Sequence, residues 1–330
     1  MIPLAWVASG CAPKEESIPF DVMTVLGNVP ANELGRVVSH EHVLVDFIGA
    51  DQTNASRWDD DEVIRVVLPY LEKLVASGCK TFFDFTPAYL GRDVMLLQRL
   101  SEESGLNIIT NTGFYGARNN MYLPEFVSTS SADELADMWV REFVDGIEGT
   151  GIRPGFLKIG VDPESLSPLH AKLIRAAARA HKATGLTIAV HTGAGIPALQ
   201  QIDVLAEEGV HPSAWIWVHA QFESDNKKHN EAARKGAWVG FDGLRPDQSD
   251  RYIALLQNMK SAGLLDHVLL SHDAGWYSAG EENGGQFRGY DYLYAEFIDQ
   301  LRAARFTSSE IEGLVVTNPA RAFGIRQRLL

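Results

Sequence analysis

The chain has only two cysteines, Cys11 and Cys79, no block of lysine and arginine, and no low-complexity tract. Nor does any apolar run approach the roughly 20 residues that a spanning helix needs. Each shortage removes a class. Two cysteines so far apart make neither a disulfide scaffold nor a zinc knuckle. Any membrane attachment has to be an anchor instead of a span. A formal net charge of -14 with no basic face excludes a nucleic-acid partner, and the acidic surface serves solubility. What is present is 45% hydrophobic and 22% charged residues over 330 positions. That suffices for a large core and suits one α/β barrel as well as two smaller domains.

Cys79 precedes the apolar run Thr81 to Phe85 and is expected as a small buried residue. Cys11 differs. It follows the short apolar stretch Leu4-Ala5-Trp6-Val7-Ala8-Ser9-Gly10 and precedes a polar tether, Pro13-Lys14-Glu15-Glu16-Ser17. That layout resembles a bacterial lipoprotein signal, with Cys11 as the lipid-accepting residue. No basic residue precedes the run, and it is shorter than the roughly 15 to 30 residues of a full signal. A start site placed too late would produce both departures. Residues 1–20 are therefore expected as a signal and tether, placing the protein in the periplasm or cell envelope. The alternative is a disordered N-terminus on a cytoplasmic protein. Residues 21–330 are expected as a single domain.

From Asp21 onward, eight short β-type runs alternate with stretches of helical periodicity. The runs are 36–42, 81–86, 107–113, 156–161, 187–191, 215–219, 237–241 and 268–273. The helical stretches are 62–77, 94–104, 132–147, 168–184, 198–208, 226–235, 249–262 and 291–304. In the first, Val63, Val66, Val67, Tyr70, Leu71 and Leu74 recur on one face. Glycines such as Gly78, Gly105, Gly185 and Gly209 follow the helices as C-terminal caps do. Eight strand–helix repeats predict a closed (β/α)8 TIM barrel. Two long segments that follow strands, 116–132 and 274–288, are expected to carry function.

The chemistry lies in what ends the strands. In five of the eight runs a residue able to bind a metal stands at or near the C-terminal end, and in a barrel those ends meet on the catalytic face. The first run ends in Ser39-His40-Glu41-His42, where alternation sends His40 and His42 one way and Glu41 the other. The fifth ends at His191, the sixth at His219 and the eighth at Asp273. Each taken singly has a plainer reading: a hydrogen-bonded core histidine, or for Asp273 a helix N-cap. Alternation turns His272 away from Asp273, which makes it structural. Lys158 interrupts the apolar run Phe156-Leu157-Lys158-Ile159. Burial would lower its pKa, and the neutral amine can react with carbon dioxide to give an anionic carbamate ligand. Its plainer reading is a lysine that reaches the rim and pairs with an acid.

In this order, His40 and His42, then Lys158, His191, His219 and Asp273, the residues resemble the phosphotriesterase-like branch of the amidohydrolase superfamily. The likeness runs from Asp21 to about Gly324. It includes Thr24-Val25-Leu26-Gly27 with Leu34-Gly35-Arg36, the segment Thr112-Gly113-Phe114-Tyr115, and Asn318-Pro319-Ala320-Arg321. The resemblance implies one divalent cation held by His40, His42 and Asp273 and a second by His191 and His219. Carbamylated Lys158 would bridge them together with a hydroxide, and Asp273 would accept the proton. Zinc suits the imidazole and carboxylate donors, with manganese, cobalt or iron fitting nearly as well. In the lactone-hydrolysing members a tyrosine after the third strand contacts the substrate, and Tyr115 looks like that residue. The plainer reading is a packed loop aromatic.

The likeness has departures. Phosphotriesterases proper carry a histidine after the aspartate of the seventh strand, and related lactonases often carry an arginine. Here Asp242 is followed by Gly243, with Arg245 two residues on, so neither role transfers directly. The expected activity is hydrolysis of a lactone or other carboxylic ester, with phosphotriester or amide hydrolysis at the same site as the alternative. A non-catalytic metal-binding scaffold is the alternative of another class. Tyr115, Trp276, Tyr277 and Phe287 would suit an apolar substrate, whereas Arg118, Arg245 or Arg288 would favour an anionic one. The expected partners are a small-molecule substrate, a lipid at Cys11 and a second copy in a homodimer.

Overall fold

The computed structural model describes residues 20–330, so Cys11 and the expected signal lie outside the described residues. The described chain opens with an antiparallel hairpin, β1 (Asp21–Thr24) and β2 (Gly27–Pro30). The barrel strands follow: β3 (Arg36–Val45), β4 (Cys79–Asp84), β5 (Asn107–Ile109) with β6 (Asn111–Thr112), β7 (Phe156–Gly160), β8 (Thr187–His191), β9 (Trp215–Val218), β10 (Trp238–Phe241) and β11 (Val268–Leu270). Neighbours pair in parallel in that order. The ring closes between β11 and β3 through individual bonds: Ser39 Oγ to Leu270 O at 3.4 Å and Asp273 N to His40 O at 3.0 Å. The fold is the (β/α)8 barrel.

Three features differ from the sequence expectation. The third run is interrupted at Thr110, which splits β5 from β6. The eighth stops at Leu270, and a further strand, β12 (Gly275–Ser278), pairs in parallel with β3. Gly275 makes this possible. Its φ is 94°, and a β-carbon there would overlap the carbonyl oxygen of His42. The last expected helix, 291–304, is a π-helical turn at Leu293–Phe297 running into a helix at Ile298–Ala303. A helix, Ser308–Glu312, and a second π-helical turn, Gly313–Thr317, lead from it into a short C-terminal helix, Asn318–Phe323.

Local signals explain where helices begin and end. Asp59 caps the helix Asp60–Ala76 by accepting from Glu62 N, and three acidic residues follow in its first turn. Ser131 and Glu134 form a reciprocal capping box on Ala132–Asp145. Ser167 and Pro168 start the helix Pro168–Thr184, which Gly185 ends in the left-handed conformation.

The barrel interior is filled at its lower end by Val37, Phe83, Phe85, Ile109, Phe156, Ile216 and Leu269. From below, Val22 of the hairpin and Phe323 of the C-terminal helix seal it, and the Phe323 ring lies 4.0 Å from that of Phe83. At about 1.5–3 kcal/mol for each large apolar side chain buried, this plug makes a rigid floor. Above the floor, polar side chains replace apolar ones.

Candidate metal centre

His40 and His42 stand two residues apart on β3 and both turn inward. Their Nε2 atoms face the same oxygen of Asp273, Oδ1, at 3.5 and 3.1 Å. One donor atom from each of the three lies within 4.8 Å of the others, close enough to share a cation. The pairing of β7, β8 and β9 brings the remaining candidates level. His191 lies opposite Gly160 on one side and Val218, the residue before His219, on the other. The His191 and His219 rings are 4.5 Å apart, and His219 is 5.0 Å from His40. Lys158 rises from β7 beneath them. Its Nζ sits 5.4 Å over the Phe85 ring and 5.5 Å over the Tyr115 ring.

Two of these residues are not where strand periodicity puts them. Asp273 stands three residues beyond β11 with φ of 52°, and His219 one residue beyond β9 with φ of 64°. Both are left-handed, a conformation that costs a non-glycine residue on the order of 1 kcal/mol or more and persists only where neighbours enforce it. The alternative of Asp273 as a helix N-cap fails, because β12 follows it.

The enforcing neighbours are two buried carboxylates. Glu41, fully buried and turned opposite to its flanking histidines, accepts from Ser271 Oγ at 2.7 Å and His272 N at 3.0 Å. It also accepts from His272 Nδ1 at 2.7 Å and Ala274 N at 2.8 Å. The turn that carries Asp273 is therefore gripped on both sides, and His272 has the structural role expected of it. Arg288 adds to the grip through the carbonyls of His272 and Asp273. The second carboxylate, Asp242, accepts from the Nδ1 atoms of His40 and His219 at 2.9 and 2.6 Å. His42 Nδ1 is paired with Thr86 Oγ1 at 2.8 Å.

Protonation follows from burial and charge. Burial pulls the His40 imidazole down to about 4, against the pull of Asp242 and Asp273. Burial, reinforced by the charges of His219 and Lys158, holds His191 well below its ordinary value. For His219, burial is outweighed by the Asp242 charge and hydrogen bond, and its pKa rises. Asp273 stays below the usual carboxylate range because His40 and His42 outweigh its burial. Burial brings the Lys158 amine down to about 8, and among the described residues its Nζ has no hydrogen bond or ion pair. The alternative of a rim lysine paired with an acid is thereby excluded. Buried imidazoles that turn Nε2 inward, an ionised carboxylate and a buried amine without a partner among the described residues form a donor set suited to divalent cations.

The cluster floors a cavity of about 490 Å³ whose walls are Phe47, Phe85, Pro87, Leu90, Tyr115, Met121, Tyr122 and Trp276, with Arg118 at the rim. The two long segments flagged by the sequence supply Arg118, Met121, Tyr122 and Trp276. Tyr115 is buried, and among the described residues its hydroxyl has no hydrogen-bond partner, so it is free to meet a ligand. Arg245 is a different matter. It is exposed and lines an adjoining cavity of about 450 Å³ with Gln221, Phe222, Phe287 and Arg288, and among the described residues only Asp273 and Trp276 border both. Tyr277 is turned away altogether, donating its hydroxyl to Glu62 at 2.9 Å. Asp242, Thr86 and Glu41 received no functional role from the sequence. Asp242 could have been found by the strand-end rule, since it directly follows β10.

The phosphotriesterase family model matches residues 20–323. The chain is 31% identical to a phosphotriesterase homology protein of Escherichia coli over 88% of its own length and 98% of that protein's. Among solved structures, the organophosphorus hydrolase of Deinococcus radiodurans superposes with a TM-score of 0.83 at 28% identity, covering 96% of this chain and 100% of that one. A lactonase from Listeria monocytogenes superposes with a TM-score of 0.79 at 26% identity, covering 93% of this chain and 100% of that one.

Proposed function

The chain belongs to the phosphotriesterase family and is a metal-dependent hydrolase, and from that premise we propose that it cleaves a lactone or other carboxylic ester with two divalent cations. His40, His42 and Asp273 would hold one cation and His191 and His219 the other, with Lys158 between them as a carbamate. Zinc is the first expectation for such donors. Bound there, the cations supply acidification of water and polarisation of the acyl oxygen.

The chain's own residues supply the rest. With a pKa near 8, the Lys158 amine is neutral in a fraction large enough to react with carbon dioxide. A nitrogen–carbon bond forms and one proton is released, leaving an anionic carbamate. Asp273, kept ionised, directs Oδ1 at His40 and His42 and has its second oxygen for proton transfer. It takes a proton from the attacking water and returns it to the leaving oxygen. Tyr115 places its unengaged hydroxyl where it can donate to the ester carbonyl or ring oxygen. The apolar walls orient the acyl part and limit bulk water.

One observation carries the ester reading over the phosphotriester one. The position after Asp242 is Gly243, whose backbone N–H bonds to Tyr252 Oη at 2.9 Å. No imidazole stands there to relay protons from Asp273. Among relatives, one solved structure is named a lactonase and another an organophosphorus hydrolase, so both activities are represented. The test is kcat/KM on a panel of γ- and δ-lactones, aryl esters and an aryl phosphotriester, measured on the zinc-loaded protein. A carboxylic substrate ahead by tenfold or more supports the proposal. A phosphotriester ahead of every lactone and ester overturns it.

A further inference from the structure

Asp242 is a buried acid hydrogen-bonded to both halves of the ligand cluster. Its Oδ2 accepts from His40 Nδ1 at 2.9 Å and from the backbone N–H of His219 at 3.1 Å. Its Oδ1 accepts from His219 Nδ1 at 2.6 Å and from Gln221 Nε2 at 3.1 Å. Gln221 completes the arrangement by accepting from Asp242 N at 3.2 Å. Each oxygen therefore has two donors, which is as many as its lone pairs serve, and little capacity is left for a cation of its own. The close grouping of Asp242 with His40 and His219 is, on this geometry, a support and not a third ligand set.

An ionised carboxylate only accepts, so each ring must present Nδ1–H to Asp242 and keep its lone pair on Nε2. His40 and His219 come from strands on different sides of the ring, and in the two-cation reading they serve different cations. His42 depends on a separate partner, Thr86 Oγ1.

We infer that Asp242 is a positioning residue that couples the two cation sites, fixing the tautomer and orientation of one histidine in each. Loss of this single carboxylate then weakens both sites, whereas loss of the Thr86 hydroxyl weakens only the site that contains His42. Removing an outer partner of a ligating histidine typically costs about 10- to 100-fold in metal affinity. The inference rests on the two-cation reading.

The test is zinc affinity, measured by competition with a chromophoric chelator, together with zinc stoichiometry, on wild type, Asp242→Asn and Thr86→Val. The expected result is a fall of about 10- to 100-fold at both sites for Asp242→Asn and at one site for Thr86→Val. Affinities within twofold of wild type at either site of Asp242→Asn would overturn the coupling. Nitrogen-15 spectra of the histidines in zinc-loaded wild type provide a readout that needs no variant to fold. Nδ1–H on both His40 and His219 is expected, and Nε2–H on either one refutes the inference. If wild type takes up only one zinc, the two-cation reading fails and the coupling with it, while the spectra still report whether Asp242 sets the two tautomers.

Discussion

Replacing Lys158 with methionine should stabilise the metal-free protein while abolishing its activity. The ammonium is buried with no partner among the described residues, and burial lowers its pKa from 10.5 to about 8. At 1.36 kcal/mol per tenfold change in proton affinity, holding the charged form there costs about 3 kcal/mol at neutral pH. Methionine is similar in length, needs no solvation and adapts to irregular space. The variant should therefore exceed wild type by up to about 3 kcal/mol, or roughly 6 °C in Tm at about 2 °C per kcal/mol for a chain of this size. The direction with pH is fixed by linkage. Between about 8 and 10.5 the unfolded chain still binds the Lys158 proton and the folded chain has released it, so wild-type stability rises with pH across that window. The advantage of the variant should narrow through the same window and vanish near its upper end. Thermal melts followed by circular dichroism, with chelator present and bicarbonate excluded, measure this directly. A variant less stable than wild type at neutral pH, or a gap that does not narrow, would show that Lys158 carries no such burial cost.

Glu41→Gln tests the grip on the Asp273 turn. Exchanging one carboxylate oxygen for an amide turns a donor toward a donor and removes at least one charge-assisted bond, a loss of about 3 kcal/mol. A lower Tm and weaker zinc uptake are expected, and an unchanged Tm with full uptake would contradict the assigned role. Tyr115→Phe removes one hydroxyl from the cavity. A fall of about tenfold in lactone kcat/KM is expected from one hydrogen bond to the substrate, with unaltered zinc stoichiometry. No change in kcat/KM would return Tyr115 to a packing role.

The barrel was legible because its strands and helices carry distinct periods, and because ligands at strand ends converge on one face of a closed barrel. Helix ends followed from glycine caps such as Gly185. Less legible were features set by tertiary contacts. Asp273 lies in a left-handed turn imposed by Glu41, a residue 232 positions earlier in the chain, and β12 exists because Gly275 fits against His42. No local pattern encodes either contact. The ligand residues were readable individually, and Asp242 also stood at a strand end, whereas its pairing with two histidines and the role of Thr86 were not readable, since both lie in what their oxygens meet. Arg245 and Tyr277 show the same limit from the other side. Their residue types fitted a substrate pocket, and the loop paths put one in a neighbouring cavity and the other against Glu62.

In the proposed reaction, hydrolysis depends on two cations held by this cluster. Metal content by mass spectrometry, paired with lactone and aryl-ester turnover before and after chelation, tests it most directly. Close to two divalent metals per chain, loss of turnover on chelation, and recovery when zinc and bicarbonate are restored together are expected. Turnover that survives complete removal of metal, or a protein that regains neither metal nor turnover on reconstitution, would contradict it.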